Sequence, residues 1–181
     1  MSALEVAIIA VVAVLGFWCL GAYNRLVGLR NAIGAAWAPI EAALARRHEL
    51  TAALLVGLRR DLGDEHALLD SLLAASVQVR ACADAVRARA SAAEPLASLA
   101  LAEGVYRAAA ARLVDLVGQH PDVAAQSDIA GTLAELRELD TRLAFARQWF
   151  NDSASNYDAA VRQYPTRWLA GLFGFARAGR L

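Results

Sequence analysis

Residues 128–164 read DIAGTLAELRELDTRLAFARQWFNDSASNYDAAVRQY, and the spacing of their apolar side chains decides the fold. Leu136, Leu143, Phe150, Tyr157 and Tyr164 recur every seven residues, with Leu139, Ala146, Ser153 and Ala160 three places on. Such a repeat is the seam of a helix packed lengthwise along another, since it keeps one face turned to the partner. It predicts a single long helix over about Asp128–Tyr164, capped by Ser127 and stopped by Pro165.

Working towards the N-terminus, helical periodicity persists and strand signals are missing. Alternation is nowhere sustained, and Ala, Leu, Arg and Glu dominate. A third helix from Pro95 to about Gly118 carries Leu99, Tyr106, Ala109, Leu113 and Leu116. It is joined to the last by a turn through His120-Pro121-Asp122. A second helix over about Glu65–Ala92 shows Leu68, Leu72, Ala75, Val79, Cys82 and Val86, after a stop at Gly63 and a cap at Asp64. The first segment, Tyr23–Leu62, sets Leu26, Leu29, Ile33, Trp37, Ile40, Leu44, Leu54 and Leu58 on one stripe, with Pro39 expected to bend it. Four long helices joined by short turns predict an all-α, antiparallel up-down bundle.

Ahead of that bundle, Val6–Ala22 (VAIIAVVAVLGFWCLGA) is an unbroken apolar run. As a helix it extends roughly 25 Å, and Ala3 and Leu4 lengthen it towards the bilayer core of about 30 Å. Tyr23, Asn24 and Arg25 follow as an interfacial collar. A cleaved signal would need a basic stretch before the run, but Glu5 is the only charged side chain ahead of it, and Cys19 follows Phe17 and Trp18 where a lipoprotein signal would place small residues. Residues 1–22 therefore read as a single-pass anchor, 23–164 as the helical bundle and 165–181 as a membrane-proximal apolar and basic tail. Arg25 and Arg30 follow the span and no Arg precedes it, so the positive-inside rule leaves the N-terminus outside and the bundle in the cytoplasm.

Composition narrows the function. Formal net charge is zero, which gives no field to attract nucleic acid. The chain has no Lys, which excludes a Walker A phosphate loop and Schiff-base chemistry. Cys19 in the membrane and Cys82 on a distant helix read as reduced packing residues.

Several ordered blocks resemble the LemA family of bacterial membrane-anchored proteins. Near the start these are Tyr23-Asn24-Arg25-Leu26-Val27, Leu29-Arg30-Asn31, Ala36-Trp37 and Arg46-Arg47-His48-Glu49-Leu50. Near the end they are His120-Pro121-Asp122, Arg147, Phe150-Asn151-Asp152, Tyr164-Pro165-Thr166 and Ala170-Gly171-Leu172-Phe173-Gly174-Phe175. Phe150, Asp158 and Arg167 depart from the residues usual in the family. The resemblance implies one N-terminal span, a bundle of long helices and the bacterial inner membrane. It lends no catalytic residues.

Candidate chemistry in the chain is sparse. His48, His66 and His120 lie on separate segments without metal-ligand spacing. Gly171, Gly174 and Gly179 follow no strand and form no dinucleotide fingerprint. Paired carboxylates such as Asp64 with Glu65, or Glu135 with Glu138, fall at helix starts and on solvated faces. No catalytic, cofactor or metal residue is expected.

Three structural groups remain. Arg47 and Thr51 interrupt the core stripe of the first helix; an Arg there either pairs with a carboxylate on another helix or snorkels out beside Arg46. Asn151 and Asp152, which interrupt the last helix, are the expected partners. The second helix returns roughly 15 Å short of the membrane, so Leu26, Leu29 and Ile33, with Tyr157 and Val161, are expected to keep apolar surface for a homo-oligomeric stalk interface. In the tail, Trp168, Leu172, Phe173 and Phe175, flanked by Arg167 and Arg177, either lie in the lipid interface or fold back over the first helix. Together these readings point to a non-enzymatic, membrane-anchored scaffold. It would contact membrane lipid, homo-oligomerise and present a surface to other membrane or envelope proteins. The alternative is a hydrolytic or regulatory enzyme with a site between helices.

Overall fold

The computed structural model describes residues 2–62 and 65–181. The expected stop at Gly63 and cap at Asp64 lie outside the described residues. Six helices follow one another among the described residues: α1 Ala3–Asp61, α2 His66–Ala88, α3 Ala93–Gly118, α4 Pro121–Ala124, α5 Ser127–Arg162 and α6 Thr166–Leu172. Among the described residues there is no strand.

The apolar run and the first bundle segment are a single helix. At 1.5 Å per residue its 59 residues extend about 88 Å. It begins with a capping box: the Ser2 hydroxyl accepts from the Glu5 N–H at 3.3 Å, and the Glu5 carboxylate accepts from the Ser2 N–H at 2.9 Å. Side chains from Leu4 to Leu20 are exposed except for the partly covered Cys19, and the stretch is long and apolar enough to cross a membrane. Leu26 is the first fully buried side chain, and Ile33, Trp37, Ile40, Leu44, Leu54 and Leu58 continue the stripe. Pro39 does not end α1. An internal proline costs a helix about 3 kcal/mol, but Ala36, Trp37 and Ile40 beside it are buried in the core, and packing of that face holds the helix.

α5 lies along α1 for most of its length. The Gln126 amide, just before α5, donates to Asp61 at 3.0 Å at one end, and Arg46 pairs with Glu135 at 2.8 Å in the middle. Farther along, the Trp37 and Phe150 rings meet edge to face at 6.2 Å. Leu139, Leu143, Phe150, Ser153, Tyr157 and Ala160 of the heptad seam are buried, while Tyr164 is exposed. α2 packs along both α3 and α1. On α1 it is fastened by Arg87–Glu41 at 2.6 Å and by His48 to Ser76 at 2.8 Å.

Helix ends differ from expectation by a few residues. α2 stops at Ala88, α3 starts at Ala93, and the turn at His120 contains the short α4. Gln126, not Ser127, is the cap of α5 and offers no side-chain bond, because Ser127 already sits in the helix with its hydroxyl on Asp128. The chain leaves α5 after Arg162, turns at the cis Tyr164–Pro165 peptide and enters α6.

Candidate functional site

Two arrangements stand out: a charged layer inside the body, and the tail folded along its end nearest the apolar half of α1. The layer begins with Arg47, which the core stripe of α1 carries inwards until it is only 3% exposed. Its guanidinium pairs with Glu103 of α3, also 3% exposed, lies over the Tyr106 ring at 4.2 Å and reaches Asp140 of α5 at 3.5 Å. Arg147 of α5 takes the second oxygen of Glu103. The Thr51 hydroxyl is within 2.7 Å of the Arg47 carbonyl and 2.8 Å of the Tyr106 hydroxyl. The buried Arg47 and Glu103 thus balance each other, with Arg147 and the exposed Asp140 at the edge of the pair, and a buried charge needs such balance. Burial raises the Tyr106 pKa above its ordinary value, which keeps the phenol a donor.

Arg47 and Thr51 sit where the stripe places them, but the expected partners are wrong. Asp152 is exposed, and the Asn151 amide bonds the backbone of Leu181. Helix register is the reason: Arg47 lies level with Asp140, and Asn151 is eleven residues farther along α5, about 16 Å away. Glu103 went unnoticed although it shares the α3 stripe with Leu99 and Tyr106. The test that singled out Arg47, a charge on a core stripe, would have found it.

The tail is built from local rules. Gly174, at φ +70°, ends α6, and the Phe175 N–H bonds the Ala170 carbonyl at 2.9 Å, the six-to-one bond of a Schellman turn. That reversal sends Phe175 back against Tyr23, ring centroids 5.8 Å apart, and Phe173 lies 5.1 Å from the same ring. From there the chain runs back along α5. The Tyr157 hydroxyl donates to the Ala176 carbonyl at 3.0 Å, and the Ala178 N–H donates to Asp158 at 2.9 Å. Asn151 makes two bonds of 2.8 and 2.9 Å to Leu181. The Gly179 N–H reaches Ser91 at 3.0 Å, in the turn between α2 and α3. A Cβ on Gly179 would lie 2.7 Å from the Ala93 Cα, so only glycine passes there.

The docked tail corrects the expected stalk interface. Leu26, Ile33, Tyr157 and Val161 are buried within the single chain and Leu29 is packed on the same core, with Phe175, Ala178 and Leu181 against that cluster. These residues offer no open apolar face, because the tail fills the space that the short middle helices leave. Burial, partly opposed by Arg30, raises the Tyr157 pKa. The tail itself divides: Phe175 is half-buried, whereas Trp168, Leu172, Phe173, Arg167 and Arg177 are exposed.

Neither arrangement has the parts of a hydrolytic centre. Among the described residues no group of three His, Cys, Asp or Glu side chains is placed to hold a metal. The His48–Ser76 contact joins a base to a hydroxyl, but Ser76 is buried in the core, and among the described residues no carboxylate orients the ring. Beside the charged layer, α3 and α5 leave a crevice of about 80 Å³, walled by Leu113 and Leu136 and reaching Tyr106 and Asp140.

Comparison with known proteins adds a family and two relatives. The profile of the LemA family matches residues 36–180. Magnetosome protein MamQ of Magnetospirillum gryphiswaldense is 33% identical over 76 residues, which are 42% of this chain and 28% of that protein. Magnetosome protein MamQ 2 of Paramagnetospirillum magneticum is 31% identical over 77 residues, again 42% and 28%. The chain thus matches little more than a quarter of the length of these curated relatives.

Proposed function

The chain belongs to the LemA family, and on that premise we propose that it is a non-enzymatic, membrane-anchored helical scaffold. It self-associates and presents a surface to other membrane or envelope proteins. One observation carries this reading: α1 is a single uninterrupted helix, bare and apolar in its first third and the spine of the packed body in the rest. Whatever holds the first third therefore fixes the body. The body is read as an antiparallel up-down bundle of α1, α2, α3 and α5 on the cytoplasmic side of the bacterial inner membrane, with the start of α1 outside. Arg25 and Arg30 support that orientation by the positive-inside rule. A non-catalytic role is supported by interior charges that are committed to one another.

With the stalk sealed, the exposed aromatics of α5 are the better surface for self-association. Phe145 and Trp149 lie one turn apart on α5 and are 72% and 53% exposed, two large rings that a partner would cover. The test is crosslinking in membranes with cysteine at position 149, followed by solubilisation and affinity purification. Dimers or higher ladders are expected. A wholly monomeric chain that co-purifies with no other protein would contradict the scaffold reading.

A further inference from the structure

The end of the body beside the apolar third of α1 is strongly basic, although the whole chain is neutral. Residues 23–40 and 153–181 hold Arg25, Arg30, Arg162, Arg167, Arg177 and Arg180 against one acidic side chain, Asp158. Asp158 is already committed: it accepts from the Ala178 N–H and lies 3.6 Å from Arg180. Arg162, Arg167 and Arg177 have no carboxylate in ion-pair reach among the described residues. These three, one from the end of α5, one from α6 and one from the returning tail, line a single open cavity of about 430 Å³. Val161, Ala170, Gly171 and Phe175 complete its lining. Trp168, Leu172 and Phe173 are exposed beside it.

Like charges gathered around one cavity repel, and a bound anion relieves that repulsion. The guanidinium fork matches two oxygens of a phosphate better than it matches a halide. We propose that this cavity binds phosphate, either in the headgroup of an anionic phospholipid or as free phosphate in solution. The proposal deepens the scaffold reading, and it rests on that reading only for placing a lipid leaflet beside the cavity. A bound headgroup ties α5, α6 and the tail together, so the same contact that grips the lipid holds the tail in place.

The test uses the full chain purified in detergent micelles and titrated by calorimetry. The ligands are short-chain phosphatidylglycerol, short-chain phosphatidylcholine and inorganic phosphate. Saturable binding of phosphatidylglycerol, of inorganic phosphate or of both, in preference to phosphatidylcholine, is expected. Phosphatidylglycerol alone identifies the lipid as the source, and inorganic phosphate alone identifies the solution. The triple variant R162Q/R167Q/R177Q is expected to bind on the order of a hundredfold more weakly, from about one kcal/mol per charge. The control R60Q/R80Q/R112Q, which removes the same charge elsewhere, is expected to bind as the parent does. If the triple variant loses helix content, Arg167→Gln alone reads the same point, with a loss of about fivefold. Unchanged affinity in the arginine variants, equal loss in the control, or no preference over phosphatidylcholine overturns the proposal. Retention of the parent chain in carbonate-washed membranes is scored separately, so failure of the anchor is distinguishable from failure of the cavity.

Discussion

Removing the Arg47 guanidinium would leave Glu103 inside the core with only Arg147 to answer it, and breaking a buried pair from one side costs up to about 3–5 kcal/mol. Arg47→Ala is therefore expected to lower unfolding stability by that amount in a denaturant titration of the detergent-solubilised chain. Asp152→Ala, at an exposed position outside the layer, should change stability by less than about 0.5 kcal/mol. Equal effects would return Asp152 to the layer. The tyrosines give a pH test with a definite sign. Tyr106 and Tyr157 have pKa values raised in the fold, so the stability they contribute is complete below the unfolded value of about 10 and is lost as pH rises through the higher folded values. Alkaline unfolding curves of Tyr106→Phe and Tyr157→Phe should be flatter above that pH than the parent's. At this scale the sequence was half legible. The stripe put Arg47 inside, but its partner depends on how α3 and α5 are staggered, and the spacing within one helix does not record that.

Among elements, the tail changes what its neighbours can do. Apolar positions on α1 and α5 were readable from their periodicity, and so was the shortness of the middle helices. What covers the gap was not readable, because residues 173–181 have no period and dock through backbone groups. Only the glycines hinted at it, one needing a left-handed φ and the other a close backbone approach. Deleting residues 174–181 should bare Leu26, Ile33, Tyr157 and Val161, which the tail and its neighbours now bury. Cysteines at positions 26 and 161 should then crosslink between chains in membranes, whereas in the full chain they should not. Ladders from the full chain would mean that the tail is not docked. Gly179→Ala should act more gently. Its Cβ meets the backbone of Ala93, so the tail must lift, and trypsin should cut at Arg177 and Arg180 faster than in the parent.

At the scale of the whole molecule, the central claim is that one helix joins an anchor to a body that folds without it. The claim follows from an abrupt change along α1. Side chains from Leu4 to Trp18 are exposed, and from Leu26 onward one face is buried. It was the most legible feature of the chain, since an apolar run with an aromatic and basic collar needs no tertiary information to be seen. The capping box at Ser2 and Glu5 extends it by starting the helix ahead of the run. The most direct measurement is fractionation of bacterial membranes, washed with alkaline carbonate, that contain either the full chain or a chain beginning at Tyr23. The account predicts that the full chain stays with the washed membranes, while the shorter chain is released and keeps a cooperative helical unfolding transition. Release of both, or retention of both after the wash, would contradict it.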